Sequence, residues 1–439
     1  MVAEDILLHG ALLASSTMFS YTITHRLIPV VANHFLTKTK LHGIDMGKKD
    51  ANKIPESLGI VVGLTYLASF LLFSVISPYI LVSVNILNSY SLSDVFCSSS
   101  FSDGLGYSNS LSNLAAVTSI FAMLMLGFID DCYDLRWRYK LFFPFAATIP
   151  LLSVYYYNYR DRTTILVPQF ISRNLNLDEH LNIGLFYYIF MLMFVIFCTN
   201  AINIYAGING LEAGQTIVLT VTIILYNLVE VTTNSDCDGF HVLSLQLLLP
   251  FLFCSAALYQ YNRYPAKVFV GDSFCYFAGM TIAVVGILGH FSEEILIFAT
   301  PQVFNFLLSV PQLFKILPCP RHRLPKFNGE SGLREPSTFK FKYTNLNFLG
   351  RIVIKVYSAL GFARLERVQE DASSDSDDAA ANRESGDQFT SNNLTLINLW
   401  LCWFGAMDEK SLCYQLVRFQ ACLSFLALAV LTFIKMDLE

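Results

Sequence analysis

Apolar residues in this chain come in runs close to twenty long, separated by short polar stretches, almost from end to end. Wound as a helix, a run of that length matches the hydrocarbon thickness of a bilayer. Only helices and closed barrels satisfy their backbone groups there. The pattern predicts ten spans, at about 7–33, 58–82, 112–129, 141–158, 183–203, 213–232, 242–261, 268–289, 293–317 and 412–434. The segments after Asn200 and around Asn305 are the least regular, because glycine, asparagine and proline interrupt them. The predicted fold is an all-α polytopic membrane protein with about ten transmembrane helices. A transmembrane bundle would occupy 1–317, an extramembrane insert 318–411 would separate spans nine and ten, and 412–439 would hold the last helix.

The insert is itself uneven. PCPRHRLPKFN opens it with three prolines among basic residues, which predicts an ordered turn or hairpin. Phe339 to Val356 suits a strand pair or an amphipathic surface segment. The acidic, serine-rich tract from Glu366 to Asp387 predicts disorder, and the short apolar stretch Leu394–Phe404 suits the membrane surface. Asn393-Leu394-Thr395 is a glycosylation sequon that the orientation below puts in the cytosol, so it is expected to be unmodified.

Composition agrees with a membrane class. Of 439 residues, 54% are hydrophobic and only 14% charged, more apolar and less charged than soluble domains. The net charge of -5 says little, since the acids concentrate in one tract. The first residues, MVAED, are acidic, so no cleavable signal is predicted and the run from Ile6 is read as the first span. Ten cysteines show no metal-ligand spacing. Several (Cys198, Cys254, Cys275, Cys422) fall within apolar runs and are expected to be buried hydrophobes. No nucleic-acid motif or broad basic face appears, which argues against a DNA or RNA partner.

Basic residues set the orientation. One set of loops holds Lys38, Lys40, Lys48, Lys49 and Lys53, then Arg136, Arg138 and Lys140, then Arg263 and Lys267, then the segment from Lys315. The alternate set holds a serine-rich loop, 83–111, with no Lys or Arg, and loop 159–182 with Arg160, Arg162 and Arg173. The first set is expected in the cytosol, and both termini on the other side.

Four polar islands fall on the expected cytosolic face. GFIDDCYDLRWRYK (127–140) sets Asp130 and Asp131 beside Arg136, Arg138 and Lys140; paired carboxylates beside a span mark an ion or substrate site, or simply a stop-transfer flank. NAINIYAGINGLEAG (200–214) carries Asn200, Asn203 and Asn209. Asn200 and Asn203 share a helical face, and membrane-depth asparagines bind a ligand or glue helices. Glycines 207, 210 and 214 allow close backbone approach. Asp272 starts the eighth span, as a site residue or a helix N-cap. Arg321-His322-Arg323 could grip phosphate oxygens or anchor the chain at the cytosolic face. Together they suit a hard cation beside phosphates: metal-dependent phosphoryl transfer to a membrane-embedded partner.

The blocks IPESLG (54–59), GFIDDCYDLRWRYKLFFP (127–144), FCTNAINIYAGINGLEAGQ (197–215), VFVGDSFCYFAGMTIAVVGILGHF (268–291), PQVFNFL (301–307) and PCPRHRLPKFN (318–328) resemble the polyprenyl-phosphate N-acetylhexosamine-1-phosphate transferases. They resemble most the eukaryotic, GlcNAc-using branch of the endoplasmic reticulum, and run in family order. Loop 83–111 and the acidic tract match weakly.

The resemblance implies transfer of GlcNAc-1-phosphate from UDP-GlcNAc to dolichyl phosphate, with Mg²⁺ as cofactor, a homodimer, and sensitivity to tunicamycin. It implies Asn203 and Asp272 as metal residues, with the substrate diphosphate completing the shell. Asp130 and Asp131 would be the acidic pair beside the metal and acceptor phosphate. Lys140, Arg321, His322 and Arg323 would neutralise the diphosphate. Gly207, Asn209 and Phe269 would form the uridine pocket, with a backbone contact from Met46 and Glu56 nearby. Trp137 and Arg323 would lie near the GlcNAc, and Asn200 on the substrate side. Asp134 departs from the family pattern and has no expected role.

A dianionic acceptor phosphate favours direct in-line displacement; the alternative is a two-step route through Asp130 or Asp131. A relative using another sugar or acceptor is the runner-up. A transporter is the rival from another class, disfavoured because the polar groups gather at one face and no internal repeat is seen.

Overall fold

The apolar runs fold as helices. The computed structural model describes residues 2–39, 41–45, 52–87, 105–159, 163–166, 180–233, 239–367 and 388–438. Its long helices are α1 (Val2–Lys38), α2 (Gly59–Leu87), α3 (Leu105–Tyr133), α4 (Trp137–Tyr159), α5 (Leu185–Ile204), α6 (Leu211–Thr233), α7 (Phe240–Asn262) and α8 (Gly271–Leu288). They continue with α9 (Ser292–Phe298), α10 (Thr300–Leu313), the amphipathic α11 (Phe348–Ala359), α12 (Leu396–Phe404) and α13 (Glu409–Leu438). Among the described residues, seven helices are long and apolar enough to cross a membrane: α2, α3, α5, α6, α7, α8 and α13. The chain is therefore a polytopic helical membrane protein.

Three predicted spans differ in detail. The ninth is not one straight helix: α9 and α10 meet at a 77° bend around Ala299, with Pro301 opening the second helix, so the pair is a broken or re-entrant span. α4 forms as expected, but Pro144, Pro150 and its tyrosine-rich end lower its hydropathy. α1 is diluted by serine, threonine and histidine. Its hydroxyls are satisfied within the helix, Thr17 donating to Leu13 O at 2.7 Å and Thr24 to Ser20 O at 2.7 Å. Thr24 also bonds Thr65 of α2 at 2.7 Å.

α8 is the central helix, and every residue from Ser273 to Leu288 is buried. Its neighbours reach it through glycine. A Cβ on Gly127 of α3 would lie 2.5 Å from Ser273 Cα, and one on Gly279 of α8 would overlap Cys198 O of α5. The ends of α3, α5 and α6 that carry the polar islands thus meet the start of α8 at one end of the bundle.

The described part of the insert is a small folded layer. Earlier in the chain β1 (His42–Ile44) pairs with β2 (Lys53–Pro55) and β3 (Thr164–Leu166) with β4 (His180–Asn182); in the insert β5 (Lys326–Phe327) and β6 (Arg334–Glu335) form the expected hairpin. β7 (Thr338–Lys342), β8 (Leu365–Arg367) and β9 (Gln388–Asn392) form an antiparallel sheet in the order β7–β9–β8. Phe339 and Phe341 point into its core while Lys340 and Lys342 face out, the period-two alternation of a half-buried strand. The strand pair expected within 339–356 does not form, since β7 is the one strand there and takes its partner from 388–392; the amphipathic reading holds for α11, which is capped by Asn347, whose side chain accepts from Gly350 N at 2.7 Å.

α12 corrects the surface expectation for 394–404. Leu394, Leu396, Ile397, Leu399 and Leu401 are buried between two apolar clusters, and only the end at Trp403 and Phe404 is exposed. Asn393 is fully buried too: it donates to Ser337 Oγ at 2.8 Å and accepts from Gln312 Nε2 at 2.9 Å. The folded chain has no room for a glycan there. The eight described cysteines are free; Cys198, Cys254 and Cys275 are buried as expected, whereas Cys422 is exposed on α13. The acidic tract from 368 to 387 lies outside the described residues.

Candidate active site

Where α3 ends and α8 begins, Asp130 and Asp131 take different roles. Asp131 faces the start of α8 and accepts from Asp272 N at 2.7 Å and Ser273 N at 3.1 Å. A carboxylate on two first-turn amides satisfies orphan donors and complements the positive end of the helix dipole. Gly271 makes the approach possible, since its φ is +75° and a Cβ there would overlap Asp131 Oδ2. Asp131 is thus a clamp on α8. The N-cap reading of Asp272 fails for the same reason: the cap comes from α3, and the Asp272 side chain is left for other work.

Asp130, almost fully buried, accepts from Leu135 N at 2.9 Å and Tyr276 OH at 3.3 Å. Its Oδ2 lies 2.8 Å from Lys140 Nζ, and the same ammonium is 3.5 Å from Asp272 Oδ2. On the other side, Asn203 Nδ2 donates to Asp272 Oδ1 at 2.9 Å. Four of the predicted residues, from α3, α4, α5 and α8, therefore form one connected cluster. Asp134, exposed with φ +48°, closes the end of α3 by donating its N–H to Asp130 O at 2.8 Å.

The donor set fits a hard cation. It offers carboxylate and amide oxygens, and the Lys140 ammonium already sits where positive charge is stabilised, between Asp130 and Asp272. Among the described residues no trio of His, Cys, Asp or Glu forms a closed metal cage. Few protein ligands with substrate phosphates completing the shell is the usual arrangement for magnesium.

A second group surrounds the α5–α6 turn. Gly207 N donates to Glu212 Oε1 at 2.8 Å, and Asn209 Nδ2 donates to Asp45 Oδ2 at 3.0 Å. Asp45 follows β1 (His42–Ile44), which pairs with β2 (Lys53–Pro55). Phe269 N donates to Pro55 O at 2.8 Å, and a Cβ on Gly43 would lie 3.1 Å from the Phe269 ring and 3.3 Å from Glu56 Oε2. Phe269 and Glu56 thus flank the hairpin. Burial, and then the charge of Asp131, raise the Glu56 pKa above the usual carboxylate range.

The Leu324 side chain packs over Gly207, bringing the Arg321–Arg323 segment to this turn. Arg321 and His322 are exposed. Arg323 is half-buried, its O accepts from Asn398 Nδ2 at 2.8 Å, and its buried Nη1 has no partner among the described residues. Burial lowers its pKa from the usual guanidinium value. A half-buried guanidinium with an open donor beside a glycine turn suits an anionic ligand.

Asn200 stands apart from the cluster. Its amide donates to Ile196 O at 2.8 Å, one turn back on its own helix, and it does not join the Asn203–Asp272 contact. Met46 lies outside the described residues, as does the side chain of Trp137, which opens α4. Asp45, Glu212, Tyr276, Arg334 and Glu409 were not anticipated. Glu212 stood within the quoted NGLEAG motif, whereas nothing local marks Glu409, whose Asn209 contact spans 200 residues.

A polytopic helical protein with an oxygen-rich, cation-balanced cluster at one end of its bundle matches the family model described as "Glycosyl transferase family 4", over residues 113–290. The Saccharomyces cerevisiae UDP-N-acetylglucosamine–dolichyl-phosphate N-acetylglucosaminephosphotransferase is 39% identical, covering 93% of this chain and 88% of its own length. The Dictyostelium discoideum protein of the same name is 42% identical, covering 76% and 81%. A Bacillus subtilis probable undecaprenyl-phosphate N-acetylglucosaminyl 1-phosphate transferase is 28% identical over 41% of the chain. The chain belongs to the family of UDP-N-acetylglucosamine–dolichyl-phosphate N-acetylglucosaminephosphotransferases.

Proposed function

We propose that this chain transfers GlcNAc-1-phosphate from UDP-GlcNAc to dolichyl phosphate, giving GlcNAc-diphosphodolichol and UMP, the first committed step of N-glycan precursor synthesis. The observation that carries the reading is the cluster of Asp130, Lys140, Asn203 and Asp272, gathered from four helices to one end of the bundle. An acceptor phosphate oxygen attacks the β-phosphorus of the donor. The bond from that phosphorus to the bridging oxygen breaks, and UMP leaves with the electron pair. The acceptor's second pKa is about 6, so at neutral pH it attacks as a dianion, and the step balances without a protein base.

Asn203 and Asp272 would hold Mg²⁺, which when bound neutralises diphosphate charge and orients it. Lys140 carries positive charge at the same point, held by Asp130. Arg323, with Arg321 and His322, binds the diphosphate and approaches the sugar. Gly207, Asn209, Phe269 and Glu56 enclose the uridine end, and Asp131 fixes the start of α8. Bonding of both Asp131 oxygens to backbone amides favours direct displacement over a covalent intermediate at that residue.

The membrane arrangement belongs to the same proposal: ten spans, α1, α4 and the bent α9–α10 pair among them. The insert and active site face the cytosol, both termini face the lumen of the endoplasmic reticulum, and two copies form a homodimer. Purified protein incubated with labelled UDP-GlcNAc, dolichyl phosphate and Mg²⁺ should yield a lipid-linked product that disappears with chelator. No such product, or undiminished product with chelator present, refutes the assignment.

A further inference from the structure

Glu409, the first residue of α13, lies 200 positions from the α5–α6 turn in sequence, yet its Oε1 accepts from Asn209 N at 2.7 Å. Its other oxygen accepts from Arg334 Nη2 at 2.7 Å, and the two side chains are only 4% and 7% exposed. Arg334 stands on β6, and its backbone exchanges hydrogen bonds with Met407 at 2.8 and 3.3 Å. Its Nη1 reaches Pro325 O at 3.5 Å, next to the Arg321–Arg323 cluster. A pair that only tied α13 to the hairpin would need no bond to Asn209. Here the second carboxylate oxygen fixes the backbone of a residue whose side chain is held from the other side by Asp45.

We propose that Glu409 is a positioning residue of the nucleotide pocket. It holds the Asn209 turn from behind and couples it, through Arg334, to the hairpin following the Arg321–Arg323 cluster. The proposal rests on reading Asn209 as part of the uridine pocket. Buried charge makes the device exacting, because each oxygen of the carboxylate has one donor and an amide in its place must turn a donor toward a donor.

The test is steady-state kinetics of the full chain, with UDP-GlcNAc and dolichyl phosphate varied separately. Glu409→Gln should raise the donor KM by about tenfold, the change expected from losing one charge-assisted hydrogen bond, with the acceptor KM unchanged. The double variant Glu409→Gln/Arg334→Met removes the guanidinium donor that faces the new amide and should recover part of the donor KM. If the single variant does not fold, the double variant and Glu409→Asp carry the test, since the shorter carboxylate reaches one partner but not both. A donor KM that stays at the wild-type value in the folded variants, with only thermal stability falling, overturns the proposal. Asn209→Ala separates the two readings. If it raises the donor KM while the Glu409 variants do not, the positioning role fails alone; if it leaves the donor KM unchanged, the pocket assignment itself fails.

Discussion

Asp131→Asn distinguishes a clamp from a nucleophile. In the wild type one carboxylate satisfies two amides of α8's first turn, at 2.7 and 3.1 Å. The asparagine side chain keeps one acceptor and turns an NH₂ toward the other amide. An N–H left unsatisfied costs about 1–3 kcal/mol, and removing the negative charge from a helix N-terminus adds about 0.3–1 kcal/mol. The hold on the start of α8 therefore weakens by about 1.3–4 kcal/mol. Asp272 is the residue displaced. If that loss is fully expressed in its placement, turnover falls by about 10- to 1,000-fold. Turnover measured against Mg²⁺ concentration, together with thermal unfolding, separates the explanations. A clamp predicts a lower melting midpoint, a raised Mg²⁺ requirement and residual turnover. Complete loss of turnover at every Mg²⁺ concentration, with unchanged melting, would refute the clamp and restore the covalent route.

Other outcomes follow from the same geometry. Lys140→Met leaves Asp130 and Asp272 without their shared cation, and kcat should fall by about a hundredfold or more, read from initial rates at saturating substrates. Gly271→Ala forces a side chain into a left-handed backbone against Asp131, and should destabilise the fold by at least about 1–3 kcal/mol, seen as a lower thermal midpoint. Asn393→Gln should leave electrophoretic mobility unchanged with or without glycosidase treatment. It should also lower thermal stability, because the longer amide breaks the bonds to Ser337 and Gln312.

Much of this was legible in the sequence because it is written in local patterns. Runs near twenty residues gave every helix of the bundle, and the polar islands at their ends gave Asp130, Lys140, Asn203 and Asp272, which the fold joins into one cluster. The irregularity around Asn305 was visible in its asparagine and prolines, but the 77° bend between α9 and α10 was not, since hydropathy reports how apolar a run is and not its direction. What stayed invisible was the division of labour within the islands. Asp130 and Asp131 are adjacent and chemically identical, and helix geometry turns one toward Lys140 and the other toward the amides of α8. Asn200 and Asn203 share a helical face, yet only Asn203 stands level with Asp272. Such distinctions depend on how far along α8 its neighbours sit, and that level is fixed by the close packing of Gly127 on Asp272 and Ser273 and of Gly279 on Cys198 and Thr199, glycines that carry no chemical mark of their own.

The Glu409 contact shows the same limit at longer range. A buried carboxylate at the head of the last helix reads as an ordinary first-turn acid, favourable to the helix dipole wherever it lies. Its partner amide is set by the insert, which must fold over the α5–α6 turn before Arg334 and Asn209 can converge on it. The insert is thus part of the site's geometry: β6 supplies Arg334, and Asn398 of α12 holds the Arg323 carbonyl at 2.8 Å. A membrane bundle alone would leave the cationic segment and the α5–α6 turn as separate loops. The layer folded over them joins the two, through Arg334 and Glu409 on one side and Asn398 on the other.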